Sequence, residues 1–212
     1  MSRGRHKRNK SWVDRQQRDP FVKSARREGY RSRAVYKLME LDRRDGLLRS
    51  GMVVVDLGAA PGGWSQYVVE RVGDSGIVVA VDVLPMDPVP GVRIVQGDFS
   101  ERSVIEQVRA HLGDRHADLV ISDMSPNISG IASVDQARSY ALGEQAANFV
   151  VEVLKPGNHM LVKVFEGEDA ISLRRRLGQM FSQCLSRKPV ASRGRSRETY
   201  LVAKDFRGTD SG

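Results

Sequence analysis

The stretch Asp56-Leu57-Gly58-Ala59-Ala60-Pro61-Gly62-Gly63-Trp64 is a turn of small residues between an apolar run and a helical pattern. Small residues let a backbone approach a ligand closely, and a helix that opens on such a turn aims unpaired N–H groups at it. A dinucleotide site would want G-x-G-x-x-G here to seat a pyrophosphate. This loop reads G-x-x-x-G-G with a proline inside, which points to a nucleoside-type ligand without a pyrophosphate. Two acids follow: Asp82 in Val-Asp-Val, 20 residues past Gly62, and Asp98 in Gln-Gly-Asp-Phe. An acid about 20 residues beyond a glycine turn suits both hydroxyls of a ribose. Asp98 then suits an adenine amino group, with Phe99 walling the base. Each feature alone has an ordinary reading as a turn or a cap. Together they fit S-adenosylmethionine, with Gly58, Pro61, Gly62, Gly63, Trp64, Asp82, Asp98 and Phe99 as the residues that would bind it.

These residues need a frame that brings successive strand ends to one edge. Ala34 to Leu48 carries apolar residues mostly at helical spacing, and Met52 to Leu57 is a short β-branched run stopped by Gly58. Helical patterns at Trp64 to Val72, Val104 to Leu112, Val134 to Leu154 and Leu173 to Phe181 then alternate with strand patterns. The strands fall at Ile77 to Asp82, Val92 to Val95, Leu119 to Asp123 and His159 to Phe165. Cys184 to Pro189 and Thr199 to Ala203 close the series as two further strands joined by a basic loop. Alternation of this kind predicts an α/β fold: a mostly parallel, doubly wound Rossmann-like sheet covered on both faces, with an antiparallel strand near the C-terminus. The expected organisation is a basic arm over residues 1–33, a catalytic domain over 34–205 and a tail over 206–212.

The 212 residues carry 34 Lys and Arg against 26 Asp and Glu, a net charge of +8 that is distributed unevenly. Residues 1–33 hold 12 basic and 3 acidic side chains, residues 34–170 hold 12 and 20, and residues 171–212 hold 10 and 3. Two basic blocks flanking an acidic middle suit a polyanion whose counterions are released on binding. RNA contacts are expected from Arg26, Arg27, Arg31, Arg33, Arg193, Arg195 and Arg197, with Trp12, Phe21 and Tyr30 as stacking faces among them. On this reading, removing residues 1–33 weakens RNA binding and flattens its salt dependence while sparing the small ligand. The alternative is a solvated arm and a charged helix face.

The ordered set of motifs, from the glycine loop continued by Ser65 through Ser122-Asp123-Met124-Ser125-Pro126-Asn127 and Val162-Lys163-Val164-Phe165 to Ser196-Arg197-Glu198-Thr199-Tyr200, resembles the FtsJ (RrmJ) family of ribosomal RNA 2′-O-methyltransferases. The resemblance runs from about Arg26 to Val202. It implies S-adenosyl-L-methionine as methyl donor and a uridine ribose of large-subunit ribosomal RNA, within the ribosomal particle, as acceptor. It also implies a Lys-Asp-Lys-Glu tetrad that falls here on Lys37, Asp123, Lys163 and Glu198, with Asp123 also beside the donor. The chemistry suits these groups, because an activated methyl group needs an aligned 2′-oxygen and help for the departing proton. Lys163 then serves either as general base or as a charge that orients and stabilises the developing alkoxide. Without the resemblance, an exposed lysine on a helix or at a strand end is the ordinary reading of Lys37 and Lys163.

Several chemistries are disfavoured. The lone Cys184 lies beyond the donor motifs and reads as core filling rather than as the nucleophile of pyrimidine C5 methylation. The Asp123 to Asn127 loop lacks the aromatic ring with which amino-group methylases stack a flipped base. His6, His111, His116 and His159 are scattered, so no metal is expected. No apolar run approaches a membrane span, and the arm lacks the apolar segment of a secretory signal. A cytoplasmic monomer without membrane attachment is the resulting expectation. The alternatives are a transfer-RNA or messenger-RNA cap 2′-O-methyltransferase, a non-catalytic ribosome-assembly factor and a nicotinamide-dependent oxidoreductase, the last disfavoured by the loop spacing.

Overall fold

A computed structural model describes residues 19–192 and 196–208. The chain enters through α1 (Pro20–Arg27) and α2 (Val35–Asp45). Asp19 caps α1 by accepting the Phe21 N–H at 3.0 Å, and Pro20 occupies the first turn, where its missing N–H costs nothing. α2 stops at Gly46, whose φ of 64° is left-handed. There follow β1 (Val53–Leu57), α3 (Gly63–Val72), β2 (Ile77–Asp82), β3 (Val92–Gln96), α4 (Arg102–Leu112), β4 (Ala117–Ser122) and α5 (Ala132–Val153). The remaining elements are β5 (Leu154–Phe165), α6 (Glu168–Met180), β6 (Phe181–Arg187) and β7 (Glu198–Phe206).

The seven strands form one sheet in the order β3-β2-β1-β4-β5-β7-β6. β3, β2, β1, β4 and β5 pair in parallel, and β7 runs antiparallel to both β5 and β6. Every residue of β1 is buried, as a strand covered on both faces requires. Alternation along the strands divides the interior in two. Val53, Val55, Leu57, Val120, Val162, Val164 and Leu201 join the core under α4, α5 and α6. Val54, Leu119, Ile121, Leu161, Tyr200 and Val202 face the second core, under α2 and α3. Among the described residues no helix is long and apolar enough to cross a membrane.

The architecture matches the sheet expected from the sequence, and several boundaries move. α1 forms inside the segment expected as a basic arm. Residues 19–33 fold onto the domain, so the arm does not end at residue 33. Leu154 opens β5 instead of closing α5, and Phe181 opens β6 instead of closing α6. Residue 206, expected to begin a tail, is instead the last residue of β7, and its ring packs 5.2 Å from that of Phe181. Phe21 packs on Tyr36 and beneath the Arg33 guanidinium, and Tyr30 donates to Glu70 Oε2 at 2.8 Å. These two rings serve the fold rather than standing open for bases. Trp12 lies outside the described residues.

Candidate active site

Period-two alternation puts the chemistry on one face of the sheet. Val54 and Asp56 on β1, Leu119 and Ile121 on β4, Leu161 and Lys163 on β5 and Tyr200 on β7 all face α2 and α3. Asp123 follows β4 directly, and Lys163 pairs with Tyr200 in the β5–β7 register. α2 carries Lys37 toward the same place.

The four residues converge. Lys37 Nζ donates to Glu198 Oε2 at 2.8 Å and lies 3.7 Å from Asp123 Oδ1, and Lys163 Nζ lies 3.1 Å from that same oxygen. Charges therefore alternate along Glu198, Lys37, Asp123 and Lys163, and two ammonium groups balance two carboxylates. Lys163 Nζ also donates to the Asp123 carbonyl oxygen at 2.6 Å and to Ser125 Oγ at 2.5 Å. It thus donates two hydrogen bonds and forms an ion pair with the Asp123 carboxylate, and of these partners only Ser125 is exposed. Side-chain exposure is 9% for Lys37 and 3% for Lys163. The reading of these lysines as solvated surface charges is excluded by that burial.

Tyr200 completes the cluster, a residue that the sequence motifs do not single out. Its hydroxyl donates to Asp123 Oδ1 at 2.6 Å, and its ring lies 5.7 Å from Lys37 Nζ and 6.0 Å from the Trp64 ring. Burial, reinforced by Asp123, holds its phenol well above the ordinary tyrosine value, so it remains a donor. A signal for it exists: Tyr200 lies two residues from Glu198 on a strand and therefore on the same face. Trp64 Nε1 donates to the Ala34 carbonyl at 2.8 Å, which ties α3 to the start of α2.

A small cleft of about 80 Å³ opens beside the cluster, lined by Ser32, Ala34, Asp56, the glycine loop from Gly58 to Pro61, Gly63, Trp64 and Asp123. The loop cannot bear side chains at its glycines. Gly58 has φ 73°, and a Cβ there would collide with Met124 Cγ. A Cβ at Gly63 would stand 2.9 Å from Ser32 Cβ. Asp56 is wholly buried and its Oδ2 accepts the Ser65 hydroxyl at 2.7 Å. Burial pushes its carboxyl up to about 7, the Ser65 hydrogen bond opposes this, and the nearby Asp123 and Asp82 add to the rise.

The outer acids are engaged locally. Asp82 Oδ2 accepts the Ala60 N–H at 2.9 Å and Oδ1 the Leu84 N–H at 2.8 Å, so this residue ties the glycine loop to the end of β2. Asp98 Oδ1 accepts both the N–H and the hydroxyl of Ser100, at 2.8 and 2.7 Å, leaving Oδ2 open among the described residues. Phe99 is 7% exposed and packs edge-on against Phe149 at 5.8 Å, as part of the core rather than as a free wall. Gly62, with φ 103°, begins α3 as its cap.

The arginines divide. Arg26, Arg27, Arg31 and Arg197 are exposed. Arg33 instead bonds Asp19 and the Ala191 carbonyl, and Arg31 bonds three backbone carbonyls, so both guanidiniums are spent largely within the molecule. Arg193 and Arg195 lie outside the described residues. Cys184 is partly buried, and burial pushes its thiol up to about 11. Among the described residues no group of His, Cys, Asp and Glu is placed to hold a metal ion.

Known proteins are similar to this chain in sequence and in fold. The family model described as FtsJ-like methyltransferase matches residues 30–206. A protein of Azoarcus sp. (strain BH72) named ribosomal RNA large subunit methyltransferase E is 53% identical over 203 residues, covering 96% of this chain and 99% of its own. Its namesake in Pseudomonas aeruginosa (strain PAO1) is 48% identical over 204 residues, covering 96% and 99%. A crystal structure from Plasmodium falciparum, described as a ribosomal RNA methyltransferase, superposes with a TM-score of 0.78 at 31% identity, covering 85% of this chain and all of that one.

Proposed function

The chain belongs to the FtsJ-like methyltransferase family, and from that membership we propose that it methylates the 2′-oxygen of a ribose, a uridine's, in large-subunit ribosomal RNA. The observation that carries this reading is the convergence of Lys37, Asp123, Lys163 and Glu198 beside the glycine-loop cleft. The names of the relatives supply the acceptor class, and the exposed arginines suit its phosphates.

The lining of the cleft suits S-adenosylmethionine: the loop from Gly58 to Gly63 borders it, and Asp123 lines it with a carboxylate that suits a cationic ligand. When bound, it supplies a methyl group already activated on a sulfonium. Asp98 Oδ2 and the carboxylate of Asp82 would hold its adenosine, and the loop backbone its amino-acid end.

The protein's own work is alignment and proton handling. Asp123 holds Lys163 through both its carbonyl and its carboxylate, and Tyr200 fixes that carboxylate from the other side. Lys163 can exchange its bond to the exposed Ser125 hydroxyl for one to the substrate 2′-oxygen without giving up either bond to Asp123. This geometry favours Lys163 as the group that orients the hydroxyl and stabilises negative charge as the proton leaves to solvent water. Lys37, held by Glu198, places a second positive charge 3.7 Å from Asp123.

Incubation with S-adenosylmethionine labelled in its methyl group, and with large ribosomal subunits lacking the modification, is expected to place label on a ribose oxygen. Mapping total RNA with and without the protein then identifies the nucleotide. RNA binding without methyl transfer would replace this reading with that of an assembly factor, and label in transfer RNA or caps would move the substrate.

A further inference from the structure

Arg31 belongs by sequence to the residues expected to contact RNA, and its surroundings are of another kind. Its Nη1 donates to the Pro61 carbonyl at 3.2 Å and the Asp87 carbonyl at 2.6 Å, and its Nη2 to the Pro88 carbonyl at 2.7 Å. Pro61 lies in the glycine loop, whereas Asp87 and Pro88 lie in the connection from β2 to β3. One planar fork thus joins the glycine loop, which lines the donor cleft, to the β2–β3 connection. All three acceptors are neutral carbonyls, so the contact is geometric and not an ion pair.

The backbone of Arg31 is fixed as well. Its N–H donates to Gln66 Oε1 at 2.8 Å, and Gln66 Nε2 donates to the Gly29 carbonyl at 3.1 Å, so the side chain of one α3 residue clasps the segment in both directions. Neighbouring Ser32 lines the cleft and packs against Gly63. A Cβ at Gly62 would stand 3.2 Å from Arg31 Nη1, so the guanidinium occupies space that the glycine leaves.

We propose that Arg31 is a positioning residue for the methyl donor: by tying Pro61 to Asp87 and Pro88 it holds the glycine loop in its binding shape before the donor arrives. This rests on the reading of the cleft as the donor site. A loop held in its bound shape loses less freedom on binding, so the expected signature is in donor affinity. Lysine cannot replace the fork, because an ammonium is a point donor that does not span three carbonyls of two loops.

The test is titration calorimetry with S-adenosylhomocysteine on the full chain, on Arg31→Ala and on Arg31→Lys, together with RNA binding across salt concentrations and transfer kinetics. Arg31→Ala is expected to weaken S-adenosylhomocysteine binding roughly tenfold, with Arg31→Lys recovering only a minor part. The donor KM should rise while kcat at saturating donor stays within about twofold, the split expected when ground-state binding alone is lost. The slope of RNA affinity against salt should be unchanged. Unaltered S-adenosylhomocysteine affinity with an RNA salt slope smaller by about 0.7 would make Arg31 a phosphate ligand and overturn the proposal. A collapse of kcat and KM together, with the ligand-free melting temperature down by more than about 8 °C, would make its role one of fold stability alone and overturn it too. Wild-type protein that binds no S-adenosylhomocysteine would remove the donor reading and this inference with it. Wild-type binding matched by Arg31→Ala would remove only the inference.

Discussion

Lys163 and Asp56 carry different burdens although they share one face of the sheet. Lys163 is buried, bonded to two acceptors and paired with the Asp123 carboxylate, and it does not line the glycine-loop cleft. Lys163→Ala is therefore expected to reduce methyl transfer by at least about a thousandfold, as removal of a charge-stabilising donor does, while S-adenosylhomocysteine affinity stays within about threefold. Single-turnover kinetics and calorimetry check the two halves. Asp56 makes a prediction about pH. Its folded-state carboxyl is pushed up to about 7, above its value in the unfolded chain, so the folded state holds a proton that the unfolded state has lost. Stability must then fall as pH rises from about 4 to 7 and level off above. Asp56→Asn removes that slope, and the ceiling on the difference is about 4 kcal/mol. Urea denaturation of both proteins at pH 4.5 and 7.5 measures it, and parallel profiles would remove Asp56 as the titrating group.

On the proposed function the glycine loop is the element on which donor recognition turns, and its shape has two identifiable causes. Gly58 adopts a left-handed φ of 73°, and its missing side chain makes room for Met124 from the β4 loop. Gly58→Ala adds a backbone cost of about 1–2 kcal/mol and forces Met124 aside. Because Met124 lies between Asp123 and Ser125, both bonded to Lys163, the variant is expected to lose donor binding and turnover together. Calorimetry and transfer assays at matched folding, judged by circular dichroism, are the measure. A compensating Met124→Ala that restores donor affinity would identify the collision as the cause.

At the scale of the whole molecule, charge and architecture divide the labour between two regions. The acidic middle of the chain supplies β1 to β5, and the basic C-terminal segment adds β6 and β7 to the same sheet. Residues 19–33 fold back on α3 through Tyr30, Arg31 and Gln66, so truncation at residue 33 would strip the donor site as well as the arm. Removing residues 1–18 alone is the cleaner experiment, since that segment holds 7 Lys and Arg. The truncated protein is expected to bind S-adenosylhomocysteine normally and to show RNA affinity that falls less steeply with salt. The log slope should drop by about 0.7 for each phosphate of single-stranded RNA that the shortened chain no longer neutralises. Identical slopes for the two proteins would exclude this segment as a phosphate clamp.

The succession of strands and helices, the glycine loop and the tetrad positions were legible in the sequence because they rest on local patterns: β-branched runs, turn residues and short motifs. Period-two alternation also follows from sequence, and it gives Glu198 and Tyr200 one parity on their strand. The partners of long, flexible side chains came from packing instead. Arg31, Arg33, Phe21 and Tyr30 sit in a basic segment that reads as an RNA arm, yet their ends reach carbonyls, carboxylates and rings 14 to 158 residues away. No local pattern encodes such contacts, because closing a long loop onto one acceptor depends on where the rest of the chain has packed.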